Sequence, residues 1–243
     1  MSPDVANVAL RYDAVFYDLD GTLVDSRPGI EASLRAALAT HAPGVEPPAL
    51  DTLLGRPLAG LLREALPGLE PAALPAVAAA FAQHYDAQGW RLSRPYPGVI
   101  AALQQLAAAG VRQIVVTNKR RHPALAILAA FGVAPCLEAL YTLDSVQPPY
   151  RDKAAMARAA CAACAVRGAR LLVVGDSVDD WQMADACDAS FAAATYGYGH
   201  AVTAVGDRRT APHVATLPAD LVLDSPAGIV ALVMAADGCG SDA

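Results

Sequence analysis

Asp18 and Asp20 stand two residues apart at the end of a short apolar run, Asp13-Ala-Val-Phe-Tyr17, and Gly21 follows at once. Two carboxylates held that close raise each other's pKa unless a cation neutralises them. A metal site carrying an acid/base pair is one reading; a solvated Asp-Gly turn is the other, because both residues are ordinary in turns. Ile114-Val-Val-Thr117 ends an apolar strand on a hydroxyl and backbone donors that suit an anionic oxygen, and Asn118 and Lys119 come next. Lys153 opens a helical segment, where a positive charge is poorly placed for the helix dipole, so a role in holding an anion fits it better than a structural one. The run Leu171-Leu-Val-Val-Gly175-Asp176-Ser177-Val-Asp179-Asp180 carries a strand into an acidic loop. Hard oxygen ligands in that setting suit Mg²⁺. Asp179 is expected to cap the helix that follows.

The elements that position these residues are legible as alternation. Strand-type runs lie at 14–18, 113–117, 137–143, 171–175, 189–194 and 220–223. Most are continuous rather than alternating apolar runs, as for strands buried on both faces. Helix-length segments at 98–109, 123–131 and 152–165 separate them. The pattern reads as βαβ units around a parallel sheet. Residues 28–95 break it: they are helical in pattern, cut by Pro43, Pro47, Pro48, Pro57, Pro67, Pro71 and Pro75 into short helices such as 29–40, 58–66 and 74–88.

Composition narrows the class. The 243 residues carry a formal charge of -6, with 24 acidic and 18 basic residues, which argues against nucleic acid as a partner. A chain of this size buries roughly three-quarters of its unfolded surface and needs no disulfides. Its 5 cysteines, odd in number and irregularly spaced, point to a reducing compartment. Cys161 and Cys164 read as small thiols on a helix face rather than as a metal or redox pair. No apolar stretch approaches the ~20 residues of a membrane span, residues 1–11 lack a secretory pattern, and the polar end at 237–243 is expected to fray. A soluble cytoplasmic protein is expected. Only two of the 18 basic residues are lysines, Lys119 and Lys153, and both lie in or beside the motifs above.

Asp18-Leu-Asp20-Gly-Thr-Leu-Val-Asp25-Ser26 resembles motif I of the haloacid dehalogenase superfamily. Thr117 matches the Ser or Thr of motif II, and Thr117-Asn118-Lys119 resembles its phosphoglycolate phosphatase branch. Gly175-Asp176-x-x-x-Asp180 matches motif IV. Motif III is the departure: many relatives read Lys-Pro-x-Pro where this chain has Gln147-Pro-Pro-Tyr-Arg151-Asp-Lys153, so Lys153 is the preferred cation and Arg151 its rival. The resemblance spans roughly residues 12–235. It implies a Rossmann-like doubly wound parallel sheet core (1–26 and 96–243) with an inserted α-helical cap domain (27–95).

The resemblance also implies chemistry. Asp18 would be the nucleophile, forming an aspartyl phosphate, and Asp20 the general acid/base, lending a metal its backbone carbonyl. Thr117, Asn118 and Lys153 would bind the phosphoryl group, with Thr117 and Lys153 also assisting catalysis. Mg²⁺ would be held by Asp18, Asp20 and Asp176, with Asp180 binding directly or through water. The expected activity is hydrolysis of a small phosphorylated metabolite, with 2-phosphoglycolate one candidate. A β-phosphoglucomutase-like mutase keeps the same motifs, and a non-catalytic phosphate-binding member of the fold stays open. Dehalogenases lack an acid at the position of Asp20, and phosphonatases need a cap lysine that 27–95 does not contain. Arg56 and Arg63 could present guanidinium groups to a substrate carboxylate or could simply be solvated. Tyr196-Gly-Tyr-Gly199 is expected to loop beside the site. The sequence leaves oligomeric state open.

Overall fold

The computed structural model describes residues 10–47, 62, 66, 68–166, 168–198, 201–204 and 216–234. Its centre is a six-stranded sheet built from β1 (Ala14–Tyr17), β4 (Arg112–Thr117), β5 (Ala139–Thr142), β6 (Leu171–Gly175), β7 (Ser190–Ala194) and β10 (Leu221–Leu223). The order is β10-β7-β6-β1-β4-β5, and every neighbouring pair is parallel. These are the six runs expected from sequence.

Strand side chains alternate between faces. Val15, Tyr17, Val115, Leu172 and Val174 join one apolar cluster, while Ala14, Phe16, Ile114, Val116, Leu171 and Val173 join another on the opposite face. Both faces must therefore be apolar, which is why these strands read as unbroken runs. Helices α3 (Val99–Ala108), α4 (Arg121–Ala130) and α7 (Ala227–Met234) cover the first face through Leu103, Ile127 and Ile229. The second is covered by α5 (Lys153–Cys164) and α6 (Val178–Asp185), through Met156 and Met183. Cys164 is one of the buried residues of that face, and Cys161 packs against it as a partly buried thiol.

A third cluster lies apart from the sheet. Ile30, Leu34 and Leu38 of α1 (Arg27–His41) pack against Val77, Phe81 and Tyr85 of α2 (Leu74–Ala87), together with Leu62 and Leu66. Pro28 starts α1 at a position where its missing N–H costs nothing. The helix expected at 58–66 falls mostly outside the described residues, though Leu62 is helical and buried. Where the chain leaves and re-enters the sheet region, β2 (Val24–Asp25) pairs antiparallel with β3 (Arg94–Pro95). Three features went unread in the sequence: this two-residue pairing, the parallel pair β8 (Ala201–Ala204) with β9 (Thr216–Ala219), and α7.

The topology fixes where ligands can go. From β1 the chain crosses to β4 and β5 on one side, then returns to β6 and β7 on the other. Crevices in open α/β sheets form at such a reversal, outside the carboxyl ends of the strands. Tyr17 is in register with Val115 and with Val174, so Asp18, Thr117 and Asp176 leave the sheet within two residues of one level.

Candidate active site

Asp18 follows β1 directly and is held by its backbone N–H, which donates to the Val174 carbonyl at 3.0 Å. Its carboxylate lies 2.7 Å from the Lys153 ammonium. The same ammonium reaches Asp180 at 2.6 Å, so one lysine bridges two acids. Lys153 opens α5 as expected, and the N-cap that starts that helix is Asp152, whose side chain accepts from the Ala155 N–H at 2.7 Å. Arg151, the rival cation, instead pairs with Asp152, and its side chain is 82% exposed.

Asp180 is fixed by a capping box at the start of α6. Ser177 is the N-cap, and the second Asp180 oxygen accepts from the Ser177 hydroxyl at 2.6 Å and from the Ser177 and Asp176 N–H groups at 3.0 and 3.2 Å. Asp179 is therefore not the cap. Its carboxylate accepts instead from the Asn118 side-chain amide at 2.9 Å, joining the loop after β4 to α6. The reciprocal bond from Asp180 sets the helix start at Ser177 and leaves Asp179 inside the first turn.

Asp176 takes one hydrogen bond to its Oδ2, from the Tyr198 N–H at 3.1 Å; its Oδ1 is buried with no partner. Carboxylate oxygens of Asp18, Asp176 and Asp180 all lie within 4.8 Å of one another. Burial pushes the Asp18 carboxyl up to about 7, against the pull of Lys153 and with help from the Asp180 and Asp20 charges. Asp176 is likewise pushed well above the ordinary carboxylate range, by burial and then by the Asp18 and Asp180 charges. Three buried acids cluster around one ammonium that touches two of them, and one oxygen of the third is orphaned, a donor set that fits a hard divalent cation.

The loop that holds these acids leaves no spare volume. Gly21 sits at φ +84, and a Cβ there would lie 2.1 Å from Asp176 Oδ2. Gly197 packs as closely on the other side, where a Cβ would lie 2.0 Å from the Gly21 carbonyl oxygen. Gly197 and Tyr198 of the loop expected beside the site are thus there, while Gly199 lies outside the described residues. The Tyr198 hydroxyl also accepts from the Ser26 N–H and pairs with the Ser26 hydroxyl, each at 2.9 Å.

Asp20 points elsewhere. Its two carboxylate oxygens receive the Lys119 ammonium at 2.8 and 3.0 Å, and its side chain stands outside the three-acid cluster. Burial would push the Lys119 ammonium down, but Asp20 and, more weakly, Tyr85 outweigh it and raise it. Thr117 is buried, and its hydroxyl accepts from the Lys119 N–H at 3.1 Å. Arg56 and Arg63 lie outside the described residues. Lys119, Tyr85, Ser177 and Tyr198 are site residues to which the sequence reading gave no role. For Lys119 there was a signal: a chain that otherwise uses arginine kept a lysine beside a motif.

Residues 12–188 match the haloacid dehalogenase-like hydrolase family. A curated relative, a plasmid-borne phosphoglycolate phosphatase of Cupriavidus necator, is 36% identical over 199 residues, covering 80% of this chain and 85% of its own. Among solved structures, a haloacid dehalogenase-like family hydrolase from Streptococcus pneumoniae superposes with a TM-score of 0.74 at 20% identity, covering 91% of this chain and 98% of its own. The Protein Tyrosine Kinase A of Mycobacterium tuberculosis does so at 0.68 and 29% identity, covering 86% and 95%. One fold therefore carries proteins of differently named activities, and the site must decide between them.

Proposed function

Because this chain belongs to the haloacid dehalogenase-like hydrolases, we propose that it is a divalent-metal-dependent phosphatase of small organic phosphomonoesters, with 2-phosphoglycolate the first candidate. The observation that carries the reading is the buried Asp18 carboxylate, 2.7 Å from Lys153 and grouped with Asp176 and Asp180. A nucleophile needs positive charge beside it to approach a phosphate dianion; Lys153 supplies one, and a metal held by the acids around it would supply the rest. The relative's activity supports the substrate class.

In the first step an Asp18 oxygen attacks phosphorus, the bond from phosphorus to the ester oxygen breaks, and Asp20 gives its proton to the departing alkoxide. In the second, Asp20 takes a proton from water as that water attacks phosphorus, releasing phosphate and restoring Asp18. Lys153 and the donors around Thr117 and Asn118 hold the phosphoryl oxygens through both steps, where most of the catalytic gain in phosphoryl transfer arises. Asp18, Asp176 and the Asp20 carbonyl would hold the metal, with Asp180 beside them. Mg²⁺, our choice for so oxygen-rich a set, would offset phosphoryl charge when bound.

Residues 27–95 are proposed as the cap over this site and residues 1–26 and 96–243 as the core. The separate α1–α2 cluster supports this, and so does the β2–β3 pairing at the two crossings. A cytoplasmic location is proposed from the cysteines, since the four that are described are all free. No helix among the described residues is long and apolar enough to cross a membrane.

The test is phosphate release from 2-phosphoglycolate, sugar phosphates and nucleoside monophosphates, with and without Mg²⁺, alongside Asp18→Asn. Turnover that needs the metal and vanishes in the variant is expected. Return of phosphate to a sugar without net release would replace the hydrolase with a mutase.

A further inference from the structure

The Lys119 ammonium lies on both oxygens of Asp20, and its side chain is only 6% exposed. On its other side is the ring of Tyr85, whose centroid is 4.7 Å away. Tyr85 belongs to α2, so the pair spans the sheet region and the helical insert. The Tyr85 hydroxyl oxygen faces Lys119 closely enough to help hold its ammonium charged, while no acceptor in hydrogen-bond geometry takes its buried O–H. An ammonium has three N–H donors, and Asp20 occupies two of them. The third faces Tyr85, which leaves one buried O–H without an acceptor, next to an ammonium and beside the residue assigned to the leaving oxygen.

An unmatched buried donor is costly, and a ligand that accepts from it removes the cost. A neutral alkyl group would not. A carboxylate has an oxygen for that O–H and a charge for the neighbouring ammonium. A compact ammonium also suits the slot between Asp20 and Tyr85 better than a planar guanidinium, which gives a reason for lysine in an arginine-rich chain.

We propose that Lys119 and Tyr85 form a subsite for a carboxylate on the leaving group, selecting short phosphomonoesters whose alcohol bears a carboxylate next to the ester-bearing carbon. This rests on the phosphatase reading and assigns its specificity. The competing role, Lys119 as a counter-ion for Asp20 alone, penalises all substrates alike when the lysine is removed. A ratio between substrates separates the two.

The experiment compares kcat/KM for 2-phosphoglycolate and its uncharged carboxamide, 2-phosphoglycolamide, in the wild type, Lys119→Met and Tyr85→Phe. The wild type is expected to favour the carboxylate by about 10–100-fold, the worth of a charge-assisted contact. Lys119→Met should bring that ratio to within about threefold of unity, and Tyr85→Phe, a near-isosteric change that guards against misfolding of the first variant, should lower it several-fold. An unchanged ratio in both variants overturns the subsite and leaves the phosphatase standing, as does a wild type indifferent to the carboxylate. A wild type that releases phosphate from neither compound, nor from the wider panel, overturns the phosphatase and the subsite together.

Discussion

Arg120 grips Asp86 through two parallel hydrogen bonds, each 2.6 Å long. The pair ties the residue that precedes α4 to the last turn of α2, with Lys119 and Tyr85 as the respective chain neighbours. Bidentate geometry fixes orientation as well as distance. Both side chains are partly solvated, so screening keeps the stability contribution small. Arg120→Met should lower the melting temperature by about 1–3 °C, yet speed amide exchange across 74–87 and raise KM. Unchanged exchange in that helix would show that the pair does not hold it.

Lys153 and Arg151 separate on burial. Lys153→Met strips the cation from three buried acids, and kcat should fall by about 10²–10³-fold or more. Arg151→Ala removes an exposed pair with Asp152 and should leave kcat within about twofold, as for most surface changes. Steady-state kinetics of the two variants decide it; comparable losses would mean that Arg151 shares the role.

The acid cluster predicts an unusual pH dependence. Asp18 titrates near 7 in the folded chain and near 3.8 when unfolded, so between those values the folded state holds a proton that the unfolded state lacks. Its contribution to stability is present below about pH 3.8 and is lost as pH rises towards 7. Asp176 acts in the same direction. Asp13, Glu138 and Asp152, whose pKa values are lowered, act oppositely but below their ordinary carboxylate range. In EDTA, the wild type should lose more melting temperature between pH 5.5 and 8 than Asp18→Asn does. A metal competes with those protons, so Mg²⁺ should raise the melting temperature more at pH 8 than at pH 5.5. Equal metal shifts at both pH values would count against the cluster as its site.

Gly21→Ala combines two penalties, a left-handed backbone and a collision with the Asp176 carboxylate. The backbone term alone costs about 1–2 kcal/mol. The contact must move Asp176, so activity should fall further than the loss of stability explains. Circular dichroism melts and phosphate release measured together would test this; full activity at wild-type stability would contradict it.

The six strands, the helices that follow them and the acids at their ends were legible because each is a local signal. Strands buried on both faces must be continuous apolar runs, and Asp18, Thr117 and Asp176 sit where such runs end. Asp179 was misread for an equally local reason. Ser177 and Asp179 are both good cap residues, and only the bond from Asp180 back to Ser177 picks one. The two-residue pairing of β2 with β3 lies too far apart in sequence and is too short to leave a periodic trace.

The sequence by itself determined the chemistry available: a pair of acids, a second acidic loop, a strand-end threonine and two lysines in an arginine-rich chain. Tertiary structure alone decided which lysine meets which acid. Lys153 and Asp180 are 27 residues apart, and Lys119 and Asp20 are 99 apart. No local propensity encodes such pairings; they follow from the crossover that sets β1 between β4 and β6 and from burial that forbids any of these charges to stay unpaired.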